Sequence, residues 1–261
     1  MLPAQQSGGR QGPPLCCGLL FWAMIFLQYG VDVVFRTKLV DRKLPGYTKG
    51  EELFNMVSHI VGGGLGVVAF LTCIIVAAYH QNVWGIVSGG VYGLTVILLF
   101  TMSSIYHGLP AGIPKKVFQV LDHCTIFILI AGTYTPILLN QLREACPASA
   151  WTNFAIVWGL AVLGILLNAI DLERFKTFSL VCYLGMGWLI VFSFQTVKEV
   201  LGRDFIIFLV LGGVFYTIGA VLYMIGKKRN KKYIHSVFHI FVDIGALMHF
   251  LGIAMYIMPS A

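Results

Sequence analysis

The stretch LFNMVSHIVGGGLGVVAFLTCIIVAAY, residues 53–79, decides the fold class. It contains no Asp, Glu, Lys or Arg, and a helix needs roughly 20 predominantly apolar residues to cross a bilayer. The whole chain of 261 residues is 58% hydrophobic and only 11% charged. That is more apolar surface than the core of a soluble domain can bury. The sequence therefore predicts an integral membrane protein.

Seven apolar stretches of this kind follow the basic segment that ends near Lys49. They are predicted to be helices at 53–79, 83–106, 118–139, 151–170, 177–194, 205–226 and 233–258. No internal repeat, low-complexity tract or long linker divides them. We therefore expect an all-α protein in which residues 49–261 form one seven-helix transmembrane domain.

Small residues suggest how neighbouring helices approach each other. Glycines recur at four-residue spacing in the first two predicted helices, at Gly62, Gly66, Gly85, Gly89 and Gly93, and we interpret them as packing positions. The six cysteines form no CxxC motif or paired framework. We interpret them as small apolar side chains.

Basic residues occupy alternate loops, which predicts the topology. They lie before the first helix and in the second, fourth and sixth loops, at Arg36, Lys38, Arg42, Lys43, Lys49, Lys115, Lys116, Arg174, Lys176, Lys227, Lys228, Arg229, Lys231 and Lys232. The opposite loops hold only Arg143, Lys198 and Arg203. We expect the start of the first helix in the cytoplasm and the C-terminus outside. The net charge of +7 then reflects topology, and no nucleic-acid partner is expected.

Residues 1–48 form an N-terminal extension with an apolar segment at 15–35. This segment resembles the apolar region of a signal peptide or a short eighth helix. A helix that enters from outside keeps the following basic residues in the cytoplasm, so we rank it above a cleaved signal. An extension with no role in the fold is the third interpretation.

Polar residues cluster at the predicted cytoplasmic ends of four helices. They are Glu52, Asn55 and His59 near the start of the first helix, Ser103 and His107 at the end of the second, Asp122 at the start of the third, and His235 and His239 at the start of the last. The two histidines of the last helix are four residues apart, so they share one helix face. Ionisable side chains in a membrane span indicate a functional site.

Three histidines from two helices are a sensible ligand set for Zn²⁺, with a fourth position open to water. A bound zinc ion would bring the pKa of that water near about 7. Asp122 is suited to orient the water and transfer its proton, and Ser103 to hydrogen-bond the substrate carbonyl or the water. Structural polar packing and a proton pathway remain alternative interpretations, and Asp122 alone could neutralise Lys115 or Lys116.

The other polar residues receive weaker assignments. We interpret Glu52, Asn55 and His59 as supporting the ligands or facing the substrate. Asp243 and His249 continue the last helix and belong either to the site or to a hydrogen-bonded core, and we treat His123 and His80 as bystanders.

At these residues the sequence resembles the hemolysin III family, the bacterial branch of the progestin and adipoQ receptor superfamily. The shared features run from about Tyr47 to the C-terminus, in order: Glu52-Leu-Phe-Asn55 followed by Ser58-His59, Ser103-x-x-x-His107, the segment 121–136, Met186-Gly-Trp188, the segment 212–219 and His235-x-x-x-His239. The resemblance implies a seven-helix bundle with a cytoplasmic N-terminus. It also implies zinc held by His107, His235 and His239, with Asp122 near the bound water, as in adiponectin receptors and alkaline ceramidases. Residues 1–45 and Asp243 depart from the pattern.

Three functions follow as hypotheses. The first is a zinc-dependent hydrolase in the bacterial plasma membrane, ceramidase-like, that cleaves an amide or ester bond of a membrane lipid. The second is a pore-forming cytolysin, although seven uniformly apolar spans suit a resident bundle better. The third is a receptor-like protein with structural zinc. We expect no particular protein partner, and the sequence leaves the oligomeric state and the lipid open.

Overall fold

The computed structural model describes residues 36–229 and 231–260. The predicted apolar segment at 15–35 lies outside the described residues. From Thr37 onward the chain forms one compact unit, so the segment ahead of the first helix packs with the helices.

Every regular element among the described residues is helical, as expected from the sequence. The α-helices are α1 (Lys49–Tyr79), α2 (Val83–Gly108), α3 (Ile113–Leu139), α4 (Gln141–Ala145), α5 (Pro147–Gly187), α6 (Phe194–Arg229) and α7 (Ile234–Gly252). Short 3-10 turns lie at Leu39–Asp41 and Leu189–Ser193, and a π-helical turn at Ile253–Ile257 extends α7.

Five helical stretches are long and apolar enough to cross a membrane, which confirms a multi-pass membrane protein. They are Lys49–Tyr79, Val83–Gly108, Ile113–Leu139, Pro147–Gly226 and Ile234–Ile257. The count of seven crossings and the orientation of the termini stay predictions.

The fourth stretch contains 80 residues and is not one straight helix. A straight α-helix of that length would extend about 120 Å, whereas the hydrocarbon core of a bilayer measures about 30 Å. The backbone leaves helical geometry at Asp171 (φ −155°, ψ 95°) and at Gly202 (φ 81°, ψ 169°). The Asp171 carboxylate accepts hydrogen bonds from the backbone N–H groups of Glu173 and Arg174, as an N-cap does. The helix predicted at 177–194 differs at its C-terminal end. Its α-helical part ends at Gly187, and a 3-10 turn follows at Leu189–Ser193.

Five pairs of helices pack against each other: α1 with α2, α2 with α3, α3 with α5, α6 with α7, and α7 with α1. Glycines allow α1 and α2 to approach each other closely. A Cβ atom added at Gly93 would lie 2.4 Å from the Cα atom of Phe70, and one at Gly89 2.9 Å from the Cβ atom of Cys73. This confirms the packing role expected for these two glycines.

The two ends of the bundle differ in their polar content. We call the end where α2 finishes and α1, α3 and α7 begin the histidine end. At the other end the Asn82 amide donates to Asn140 Oδ1 at 3.1 Å, and the Asn140 amide donates to Ser88 Oγ at 2.9 Å. The Asn82 side chain also caps α2 through the N–H of Gly85. Asn82, Ser88 and Asn140 define the asparagine end, where hydrogen bonds between these side chains hold the start of α2 to the end of α3.

We expect Gly93→Ala to separate α1 from α2, because the added methyl group would overlap the backbone of Phe70. Overpacking of this kind costs about 1–3 kcal/mol. The measurement is thermal unfolding in detergent, with Gly64→Ala as the matched control because a Cβ atom at Gly64 meets nothing within 4 Å. Equal melting temperatures for the two variants would contradict the prediction.

Candidate metal centre

Three histidine side chains converge at the histidine end. His107 comes from the last turn of α2, and His235 and His239 lie one turn apart at the start of α7. One ring nitrogen from each lies within 4.8 Å of the others. The Nε2 atoms of His235 and His239 are 3.1 Å apart. We call these three residues the histidine cluster.

The orientation of His107 is set by Glu52. Its Nδ1 atom lies 2.6 Å from Glu52 Oε2, and a carboxylate accepts a hydrogen bond but cannot donate one, so Nδ1 carries the proton. Nε2 is then a hydrogen-bond acceptor. It is buried and has no partner among the described residues. A buried acceptor without a partner requires an explanation, and a cation between the three rings provides one.

The donor set fits zinc. Neutral imidazole is a good zinc ligand, and a carboxylate on the far nitrogen of a ligating histidine fixes its tautomer. His239 has a similar contact on its far side, because its Nδ1 atom lies 3.4 Å from Ser58 Oγ. These observations favour a metal over simple packing without identifying the ion.

Lys115 holds Glu52 in place. Its ammonium group lies 3.0 Å from Glu52 Oε1 and donates hydrogen bonds to the backbone carbonyls of Tyr106, His107 and Leu109. Those carbonyls terminate α2 and lack partners within the helix. Asp122 is therefore not the counter-charge of Lys115. Nor does it pair with Lys116, which donates to the carbonyl of Val40.

Asp122 and Ser103 line a cavity together with part of the histidine cluster. The cavity has a volume of about 550 Å³ and is lined by Ser103, Asp122, His235 and His239 at one end and by His249 farther along α7. Aliphatic and aromatic side chains of α3, α5, α6 and α7 form most of its wall. Both residues predicted to act on the substrate thus face the same space as two of the three histidines.

Asn55 and His59 also contact the cluster, on its α1 side. The Asn55 amide nitrogen lies 3.5 Å from His107 Nδ1, and its carbonyl oxygen accepts a hydrogen bond from Ser236 Oγ at 2.6 Å. The His59 ring stacks on His239 with centroids 3.6 Å apart and lines the cavity. Both side chains therefore lie against the cluster, and their supporting or substrate-facing roles stay predictions.

Four further polar residues are now located. His123 donates to the carbonyl of Gln119 but also lines the cavity, so it is closer to the site than expected. His80 is exposed at the end of α1, away from the cluster. His249 lines the cavity and donates to the carbonyl of Leu209. Asp243 faces α1, with its Oδ1 atom beside Gly62.

Tyr47 is a neighbour of the cluster that the sequence did not indicate. Its ring stacks on His235 with a centroid distance of 4.9 Å and an interplanar angle of 10°. Burial raises the pKa of the Tyr47 phenol above its ordinary value, so the phenol stays protonated at neutral pH. Neither a motif nor a helical period singles out a tyrosine that precedes a helix.

The fold and the site define a class: a multi-pass helical membrane protein with a histidine cluster at one end of a membrane cavity. The family model described as Haemolysin-III related matches residues 47–250, and the chain belongs to this family. The resemblance seen in the motifs is thereby confirmed.

Individual relatives agree with this assignment. The chain is 36% identical to Hemolysin-3 of Bacillus cereus over 211 residues, 81% of this chain and 94% of that protein. It is 34% identical to the Hemolysin-3 homolog of Bacillus subtilis (strain 168) over 210 residues, 80% of this chain and 96% of that protein. It is 26% identical to the human Monocyte to macrophage differentiation factor over 190 residues, 69% of this chain and 74% of that protein. The bacterial relatives agree with the expected bacterial plasma membrane.

We expect Lys115→Met to destabilise the metal-free protein, because it leaves Glu52 and three carbonyls without their cation. Removing one partner of a buried ion pair costs about 3–5 kcal/mol, and the partial exposure of Glu52 reduces the expected loss to about 2–3 kcal/mol. Lys198→Met, at an exposed position, is the control for thermal unfolding in detergent with a chelator. A melting temperature for Lys115→Met equal to that of the control would show that the ion pair is unimportant.

Proposed function

We propose that this protein is a zinc-dependent membrane hydrolase that cleaves an amide or ester bond of a membrane lipid. One observation carries the proposal: the unpartnered Nε2 acceptor of His107 lies in a cluster with two histidines that line an apolar cavity together with Asp122. The cluster would bind the metal, and Asp122 would accept a proton. The cavity would hold the acyl chain of the lipid.

The dimensions of the cavity suit a lipid chain. Ten residues of α7 separate His239 from His249, and both line the cavity. At 1.5 Å per residue they are roughly 15 Å apart along the helix. Ligand pockets are typically about 300–1,000 Å³ and mostly apolar, which agrees with the 550 Å³ found here. The chain of the substrate would lie along α7, with its polar bond at the histidine cluster.

Each polar residue receives a role in hydrolysis. A bound zinc ion would activate water as the nucleophile. Asp122 would orient that water, accept its proton as the new bond to the acyl carbon forms, and return the proton to the leaving amine or alcohol as the old bond breaks. Ser103 would hydrogen-bond the carbonyl oxygen. Glu52, Asn55 and His59 would keep His107 and His239 in place.

The proposal includes a topology of seven crossings with the histidine end in the cytoplasm. The breaks at Asp171 and Gly202, with the 3-10 turn at Leu189–Ser193, divide the 80-residue stretch into long sections at 147–170, 172–187 and 203–226 and a short one at 194–201. Together with α1, α2, α3 and α7 the long sections make seven. Because the number is odd, the start of α1 and the C-terminus lie on opposite sides, and the basic loops place the start of α1 inside.

The names of the bacterial relatives favour a second candidate, a pore-forming cytolysin. A pore needs no metal and no proton acceptor. A receptor-like protein with structural zinc is the third, and in that case removal of the metal would unfold the protein.

We expect purified protein to contain about one zinc ion per chain and a His235→Ala, His239→Ala double variant to contain none, because three ligands define an open site. Glu52→Gln should weaken zinc binding by about 10–100-fold. Elemental analysis and competition with a chromogenic chelator measure both. Glu144→Gln is the control, since Glu144 is exposed and pairs with Arg143. A folded wild type that binds no supplied zinc would contradict the proposal.

We expect the zinc-loaded protein to hydrolyse at least one member of a panel of long-chain lipid amides and esters. Asp122→Asn should lower kcat by about 10²–10⁴-fold, whereas Asp204→Asn, at an exposed position, should not. Mass spectrometry of the released fatty acid measures the rate. In a parallel assay of liposome leakage, release of dye without zinc and with Asp122→Asn, in the absence of hydrolysis, would identify a pore instead.

A further inference from the structure

Tyr47 contacts the histidine cluster from outside the helices. Its ring is parallel to that of His235, at 4.9 Å, and lies 5.9 Å from that of His107. The Tyr47 ring therefore lies beside one candidate ligand from α7, His235, and one from α2, His107.

The His235 ring also contacts Tyr223 and Phe238, at centroid distances of 5.4 and 5.6 Å. These two side chains line the cavity, and Tyr47 does not. Tyr47 thus lies on the face of His235 that is turned away from the cavity. On that side the chain continues into the basic segment at residues 37–46, where Lys38, Gly46 and Lys43 are exposed.

The position of Tyr47 is fixed by a carboxylate. Thr48 caps α1 in a capping box with Glu51, and Glu51 Oε1 accepts the backbone N–H of Tyr233 at 2.7 Å. Glu51 therefore joins the residue after Tyr47 to the residue that precedes α7. Because Tyr233 is only two residues ahead of His235, this link places the Tyr47 ring over His235. It involves no atom of the His235 side chain.

The other end of the segment is anchored as well. The backbone N–H of Thr37 donates to Asp171 Oδ2 at 2.8 Å, and Lys116 Nζ donates to the carbonyl of Val40 at 2.5 Å. Residues 37–47 thus extend from the break in α5, past the start of α3, to the cluster.

We propose that Tyr47, held by the Glu51 link, closes the aqueous side of the histidine cluster, so that the site selects molecules that arrive through the membrane cavity. Insofar as it concerns a substrate, this inference rests on the proposed function, and it adds that the lipid reaches the cluster through the cavity and not over His235. The side chain that blocks the approach over His235 is not a candidate metal ligand and belongs to no transmembrane helix.

The test measures access to position 235 directly and needs neither metal nor turnover. His235→Cys is labelled with a negatively charged, membrane-impermeant methanethiosulfonate reagent, and the modified peptide is quantified by mass spectrometry. Lys231→Cys, at an exposed position four residues earlier, gives the reference rate. Because thiol reactivity follows exposure, we expect position 235 to react at least about tenfold more slowly than position 231.

Tyr47 is then varied in the His235→Cys background. Tyr47→Ala should raise the labelling rate at position 235 to within about threefold of the reference, because the covering ring is gone. Tyr47→Phe should remain slow, since it keeps the ring, and Tyr79→Ala, at an exposed tyrosine at the other end of α1, should have no effect.

Two outcomes would overturn the inference: equal labelling at positions 235 and 231 when Tyr47 is present, or slow labelling that Tyr47→Ala leaves unchanged. The first comparison requires no change at Tyr47, so poor folding of Tyr47→Ala cannot leave the question open. Failure of the proposed function would appear instead as absence of zinc or of hydrolysis in the wild type, with the labelling pattern intact.

Discussion

A lipid solvent offers no hydrogen bonds, and this constraint acts on the polar groups that are buried between the helices. A buried donor or acceptor in the bilayer must find its partner within the chain. At the asparagine end this requirement is met by side chains and carbonyls alone, through Asn82, Asn140 and Ser88. At the histidine end it is not, because His107 Nε2 has no partner in the described part of the chain. The contrast separates a polar cluster that satisfies its own hydrogen bonds from a candidate ligand site.

The charges at the histidine end form a connected series. Lys115 neutralises Glu52, Glu52 orients His107, and His107 faces His235 and His239. Each contact depends on the one before it, because an unpaired carboxylate in this position would be costly. Lys115 also completes the C-terminus of α2, so the helix that supplies one candidate ligand and the charge that orients it are stabilised together.

The sequence was sufficient for features that depend on short-range pattern. Long apolar runs predicted the helices, and the four-residue spacing of His235 and His239 placed both on one face of α7. The grouping of His107 with them was predicted from helix direction alone and agrees with the structure. The pairing of Lys115 with Glu52 was not predicted, nor was the stacking of Tyr47 on His235. These contacts join residues that are far apart in the chain, and no local pattern encodes them. The end of a helix at residue 170 was predicted, but the role of Asp171 as the N-cap of the next helical section was not.

The histidine cluster can form only late in the synthesis of the protein. Its residues come from α2 and from α7, which is the last helix of the chain and packs against both α6 and α1. During synthesis, His107 emerges more than a hundred residues before His235. Until α7 is inserted, Glu51 has no Tyr233 to bind and His107 has no companion. A chain truncated anywhere before α7 would therefore contain the contact between Glu52 and His107 but not the cluster.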